Sequence, residues 1–120
     1  MPKTILVMDD EEGVRALLED FLLNSGYAVL LAEDGAQALD ALRELGERVD
    51  LILLDGSPDV SRRKTLMEIR ALCPNIPVVV MSGKSWEDLK PQFEGLPVAG
   101  YLEKPSSLGR LLQVVQTSYN

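Results

Sequence analysis

Three acidic residues stand directly after short aliphatic runs. Asp9 and Asp10 follow Ile5-Leu6-Val7-Met8, and Asp55 follows Leu51-Ile52-Leu53-Leu54. Two other runs end in groups of different chemistry. Ser82 and Gly83 come after Val78-Val79-Val80-Met81, and Lys104 and Pro105 come soon after the segment Val98 to Leu102. Carboxylates brought near one point repel each other unless a cation joins them. A hard divalent ion such as Mg²⁺ meets that need, since it takes one or two carboxylates, keeps several waters and leaves positions for phosphate oxygens. A hydroxyl and an ammonium on the far side would then be partners for a phosphoryl group. Each residue alone has a plainer explanation. An aspartate after a strand often caps a helix, a Ser-Gly pair often makes a turn, and a lysine is usually on the surface. The combination points to phosphate chemistry at an aspartate.

The elements that must position these groups are legible from hydropathy. Five apolar runs, the four above and Ala28-Val29-Leu30-Leu31-Ala32, recur at similar spacing. Several lack polar alternation, as strands buried on both faces do. Between them, Val14, Leu17, Leu18, Phe21 and Leu22 follow the spacing of one buried helix face, with Gly26 as a stop. Leu39, Leu42 and Leu45 mark a second helix, after an Asp34-Gly35 turn and before Gly46. Leu66, Ile69 and Cys73 mark a third, closed by Pro74. Leu108, Leu111, Leu112 and Val115 mark the last, with Ser106 or Ser107 as N-cap. The fourth helix, carrying Trp86, Leu89, Lys90 and Phe93, is expected to be shortened or kinked by Pro91. Strand and helix alternate throughout, which predicts an α/β fold with a parallel sheet covered on both faces. Ligands of such sheets bind beyond the carboxyl ends of the strands, where all five polar groups are delivered.

Composition removes several alternatives. The 120 residues suit one domain, spanning 1–120, and two would each be too small to bury a core. No histidine is present, so His-based triads, His metal ligands and a phosphohistidine on this chain are excluded. A single cysteine, Cys73, allows no disulfide within the chain and no cysteine zinc cluster; it reads as a small buried apolar residue. The net charge of −7 argues against direct nucleic-acid binding. The basic cluster Arg62-Arg63-Lys64 reads as a solvated helix face. No apolar run approaches a membrane span, and the first run is unlike a signal peptide, so the expected location is cytoplasmic. Gly83-Lys84-Ser85 looks like the end of a P-loop, but Val78 stands where that loop needs its first glycine. A phosphatase of the haloacid-dehalogenase type would need a second acid where Ser57 stands.

Taken in order, Asp9-Asp10, Asp55, Ser82-Gly83 and Tyr101-Leu102-Glu103-Lys104-Pro105 give the chain a resemblance to the receiver domain of two-component response regulators, over essentially its whole length. The resemblance implies a flavodoxin-like, doubly wound five-stranded parallel sheet of order 2-1-3-4-5, with five helices on both faces. It implies that Asp55 accepts a phosphoryl group from a sensor histidine kinase or a phosphotransfer protein. It implies Mg²⁺ held by Asp9, Asp10, Asp55 and the Ser57 carbonyl, with Lys104 and Ser82 on phosphoryl oxygens and Gly83 leaving room. Tyr101 would be the aromatic that follows Ser82, although an aromatic in a short strand also suits plain packing. Output would run through the face from Lys84 to Tyr119, toward a downstream protein. The chain would be a signalling domain and not an enzyme in its own right, either monomeric or dimerising on phosphorylation. The sequence departs from the family after Asp55. Gly56-Ser57-Pro58-Asp59-Val60-Ser61 has its proline one place early and no Asp-Gly pair. That departure keeps open a second reading, a receiver-like interaction module that acts without phosphorylation.

Overall fold

The aliphatic runs form strands because their residues have apolar neighbours above and below the sheet. The structure, a computed structural model, describes residues 2–55, 60–103 and 108–118, and of Val60 and Ser61 it describes the backbone alone. In chain order the elements are β1 (Thr4–Met8), α1 (Glu12–Asn24), β2 (Ala28–Ala32), α2 (Gly35–Leu45), β3 (Leu51–Asp55), α3 (Val60–Leu72), β4 (Val78–Ser82), α4 (Trp86–Leu89), β5 (Gly100–Glu103) and α5 (Leu108–Ser118). All strand pairs are parallel, and the sheet order is β2-β1-β3-β4-β5. The central strands β3 and β4 are buried at every residue, which is why neither shows polar alternation. The order reverses between β1 and β3, so the crevice at their carboxyl ends is the position where such a fold binds ligands.

Alternate strand residues feed two cores. Leu6, Met8, Ile52, Leu54, Val78 and Val80 pack on one face beneath α2, α3 and α4. Ile5, Val7, Leu51, Leu53, Val79 and Met81 pack on the other beneath α1 and α5. Cys73 is half-buried at the edge of the first core, less enclosed than expected.

Several local expectations are corrected. Leu17 is exposed, because the buried stripe of α1 centres on Leu18 and Leu22 and leaves Leu17 outside it. Asp34 is not part of a turn. It is the N-cap of α2, and its carboxylate accepts from the Gln37 N–H at 2.9 Å. The fifth strand begins at Gly100, not Val98. Pro97 has no N–H to offer a ladder, and its carbonyl is taken by Arg70 Nη2 at 2.8 Å. The fourth helix is a single turn continued by a 3₁₀ turn over Lys90–Phe93, as Pro91 led us to expect. The proposed caps Ser106 and Ser107 lie outside the described residues.

Arg62-Arg63-Lys64 is not a solvated face. Arg62 is buried, and Arg63 Nη1 donates to the carbonyls of Gln92 at 3.0 Å and Glu94 at 2.9 Å. These bonds, with that of Arg70 to the Pro97 carbonyl, tie α3 to the segment that leads into β5, while Arg70 also donates to the Ile76 carbonyl ahead of β4.

At the junction of α2 and α3 the packing requires a glycine. A Cβ built on Gly35 would lie 2.5 Å from Thr65 Oγ1. Gly35→Ala should therefore destabilise the fold by about 1–3 kcal/mol, read as a lower midpoint in urea unfolding. Adding Thr65→Ala should return a good part of the loss. If the two losses simply add, the close approach is not their cause.

Candidate functional site

The ladder itself brings the acids together. Met8 lies opposite Leu54, so the next residues, Asp9 and Asp55, leave neighbouring strands side by side. One carboxylate oxygen from each of Asp9, Asp10 and Asp55 lies within 4.8 Å of the other two. Asp9 is fully buried and Asp55 is 5 % exposed, whereas Asp10 stands at the mouth in contact with solvent.

Asp9 is held from two directions. Its Oδ1 accepts from the Glu11 N–H at 2.9 Å, at the start of α1, where backbone N–H groups favour an anion. Its carbonyl accepts from Arg15 Nη1 at 2.7 Å, and Arg15 Nη2 lies 3.6 Å from the Glu33 carboxylate. Asp10 is not a helix cap. The N-cap of α1 is Glu11, whose side chain makes no capping bond, and Asp10 is left facing the site.

Ser82 ends β4, one step beyond Met81, which is the register partner of Asp55. It is buried, and its hydroxyl oxygen accepts from the Lys84 N–H at 3.1 Å. Tyr101 on β5 lies opposite Val80, and its hydroxyl donates to the Lys84 carbonyl. The tyrosine thus meets the loop after β4 at Lys84, two residues beyond Ser82. Burial raises its phenol above the ordinary pKa, and the carboxylates of Glu103 and Asp88 raise it further, so it stays protonated and able to donate. Trp86 packs on it with ring centroids 5.1 Å apart, and on Phe93 at 6.3 Å in a parallel stack. Ser57 and Lys104 lie outside the described residues.

Sequence reasoning missed Arg62. Its Nη2 lies 3.7 Å from Asp55 Oδ2, with both side chains about nine-tenths buried. The signal was present in the helix spacing. Arg62, Thr65, Leu66 and Ile69 are the i, i+3, i+4 and i+7 positions of the buried face of α3, and all four are buried. Counting back one turn from Leu66 would have turned the first charge of the basic run inward.

Three hard oxygen donors suit Mg²⁺ in kind. They lie within 4.8 Å of one another, close to the roughly 4.2 Å between opposite ligands of that ion.

Comparison with known proteins agrees with this arrangement. The family profile described as the response regulator receiver domain matches residues 5–116. Sporulation initiation phosphotransferase F of Bacillus subtilis is 30% identical over 117 residues, covering 97% of this chain and 93% of that protein. Response regulator MprA of Mycolicibacterium vanbaalenii is 33% identical over 115 residues, 93% of this chain but only 48% of MprA. Autoinducer 1 sensor kinase/phosphatase LuxN of Vibrio harveyi is 34% identical over 113 residues, covering 93% of this chain and 13% of that protein. The chain therefore spans about half or less of several relatives. Among solved structures, chemotaxis protein CheY4 of Vibrio cholerae superposes with a TM-score of 0.88 at 23% identity, covering 98% of this chain and 99% of CheY4, and shares the fold. The response regulator TrrA of Thermotoga maritima, solved in complex with Mg²⁺-BeF, superposes with a TM-score of 0.82 at 28% identity, covering 97% and 98% of the two chains. With the sheet order, the acidic pocket of Asp9, Asp10 and Asp55, and the family match in agreement, this chain belongs to the response regulator receiver domains of two-component systems.

Proposed function

We propose that this receiver is phosphorylated on Asp55 and that the modification switches a partner-binding surface. The observation that carries the proposal is a buried Asp55 carboxylate beside two further carboxylates at the carboxyl edge of the sheet. TrrA, a relative with the same fold, takes up Mg²⁺ and a beryllofluoride group, and that supports the same chemistry here.

The transfer balances simply. An Asp55 oxygen attacks phosphorus and forms an O–P bond as the N–P bond of a phosphohistidine breaks. The electron pair leaves with the imidazole, which takes a proton from water. The donor imidazole belongs to another segment or protein, because these 120 residues contain no histidine. A sensor histidine kinase or a phosphotransfer protein supplies it, and relatives that include sensor kinases favour this pairing.

Asp9, Asp10, Asp55 and the Ser57 carbonyl are the groups that would hold Mg²⁺. The ion would neutralise charge developing on the transferred group. The bond from Glu11 occupies Asp9 Oδ1 and orients that carboxylate. Ser82 accepts from Lys84 N–H, and its own proton is the one to offer a phosphoryl oxygen. Lys104 is assigned to a second oxygen.

The switch runs through the loop after β4. Ser82, Lys84 and Tyr101 are linked by the bonds from Lys84 N–H to Ser82 and from Tyr101 to the Lys84 carbonyl. When Ser82 turns to a phosphoryl oxygen, the Lys84 backbone follows it and the hold on Tyr101 changes. Trp86 lies against Tyr101, so the change reaches the face formed by residues 84–119, which we assign to a downstream protein. No helix of the described residues is long and apolar enough to cross a membrane. A cytoplasmic protein and a monomer, or a dimer formed on phosphorylation, complete the proposal.

Incubation with a small phosphodonor and Mg²⁺ should add one phosphoryl group to the intact mass. The adduct should vanish in Asp55→Asn and without Mg²⁺. A folded wild-type protein that never forms it would speak for the phosphate-independent interaction module. In the same samples, Trp86 fluorescence should change on phosphorylation. Tyr101→Phe should still be phosphorylated while losing most of that optical response. An unchanged response in Tyr101→Phe would remove the tyrosine from the switch.

A further inference from the structure

Arg62 is a cation buried with donors to spare. Its side chain is about 10% exposed, and Nη2 makes an ion pair of 3.7 Å with Asp55 Oδ2, too long for a hydrogen bond. Nε is buried and, among the described residues, has no hydrogen-bond partner. A guanidinium has five N–H donors, and placing it out of water is costly unless they are met. This one is aimed at a carboxylate that cannot meet them at its present distance.

The chemistry that would meet them is a phosphoryl group on Asp55. Phosphorylation exchanges one carboxylate charge for nearly two charges on three strong acceptor oxygens. Planar N–H pairs match such oxygens better than any other side chain. Before modification the same guanidinium competes with a divalent cation for the Asp55 charge. The two cations repel each other across one carboxylate, and the attraction of each for the site is weakened by the other.

We propose that Arg62 is a phosphoryl ligand of modified Asp55, and that in the unmodified protein it is an internal cation opposing Mg²⁺ at the same carboxylate. The proposal rests on Asp55 being the phosphoacceptor. It predicts effects of opposite sign from one substitution, which a residue that merely packs would not produce.

The test compares wild type, Arg62→Gln and Arg62→Lys, with folding checked by circular dichroism. Mg²⁺ affinity is read by calorimetry, and beryllofluoride affinity at saturating Mg²⁺ by fluorine NMR. Arg62→Gln should bind Mg²⁺ about tenfold more tightly and beryllofluoride about tenfold more weakly, the scale of one charge-assisted hydrogen bond. Arg62→Lys, which keeps the charge and loses the fork, should match wild type for Mg²⁺ and fall between the two for beryllofluoride. If Arg62→Gln does not fold, the lysine variant alone must show weaker beryllofluoride binding with unchanged Mg²⁺ affinity. Affinities that both move in one direction, or that stay unchanged in a folded variant, overturn the role of Arg62. A wild type that takes up neither beryllofluoride nor a phosphoryl group overturns the phosphoacceptor reading, and this proposal falls with it. Wild-type binding with unaltered variants overturns the proposal alone.

Discussion

Negative charge gathered at the carboxyl edge of a buried parallel sheet is the constraint to which the surrounding structure answers. Asp9 and Asp55 are brought together by backbone pairing, since the register that sets Met8 against Leu54 leaves their successors no other place. Each is nearly without contact to water, so solvent cannot screen one from the other. Two sources of positive potential stand beside them among the described residues. The Glu11 N–H at the start of α1 points at Asp9, and the first turn of α3 brings Arg62 to Asp55. A divalent cation has hard oxygen donors waiting at the same place. The apolar strands and the two cores beneath the helices hold these charges in position against their mutual repulsion.

Much of this could be seen in the sequence because two-sided burial writes itself as uninterrupted aliphatic runs. β3 and β4 were legible for that reason, and their ends pointed directly at Asp55 and Ser82. The start of β5 was harder to read, since Val98 and Ala99 look like strand but Pro97 gives its carbonyl to Arg70 instead of the ladder. A long-range bond of that kind leaves no local pattern. Arg62 was hidden by the opposite problem. Three adjacent basic residues look solvated when read as a run, while helical spacing sends the first inward, the second toward the Gln92 and Glu94 carbonyls, and the third outward. The cluster dissolves once each residue is read by its angle around the helix. Of the site as a whole, the acids and Ser82 were readable from their positions after the strands, Tyr101 entered only through the family resemblance, and the arginine was readable only from period.

The shortened fourth helix has a physical origin and a physical compensation. Pro91 lacks the N–H that a continuing α-helix would use, so a single turn capped by Ser85 passes into a 3₁₀ turn. A one-turn helix has little cooperative stability of its own. The segment is fixed from outside by Leu89 and Phe93 in the core, by the stacked Trp86 and Phe93 rings, and by Arg63 on its carbonyls. Its conformation thus depends on α3 and on Tyr101 more than on its own sequence. An element held this way can be shifted by altering those contacts, without first breaking a long run of internal hydrogen bonds.

That dependence gives α3 a part in both halves of the molecule. Arg62 engages the site at Asp55, and its neighbour Arg63 engages the carbonyls of Gln92 and Glu94. Consecutive residues on one rigid helical turn cannot move independently, since the backbone between them has fixed geometry. In the proposed phosphorylated state, a guanidinium drawn toward new oxygens at Asp55 would pull on the turn from which Arg63 projects where its side-chain torsions are held by packing. On the proposed phosphorylation, the fourth-helix segment would be reached by two routes from the same carboxylate. One passes through Ser82, Lys84 and Tyr101 to Trp86, and the other through the first turn of α3 to Gln92 and Glu94. The first ends on Trp86 itself and the second on the neighbours of Phe93, so in the proposed switch a change in charge at Asp55 would act on that stack from its two ends.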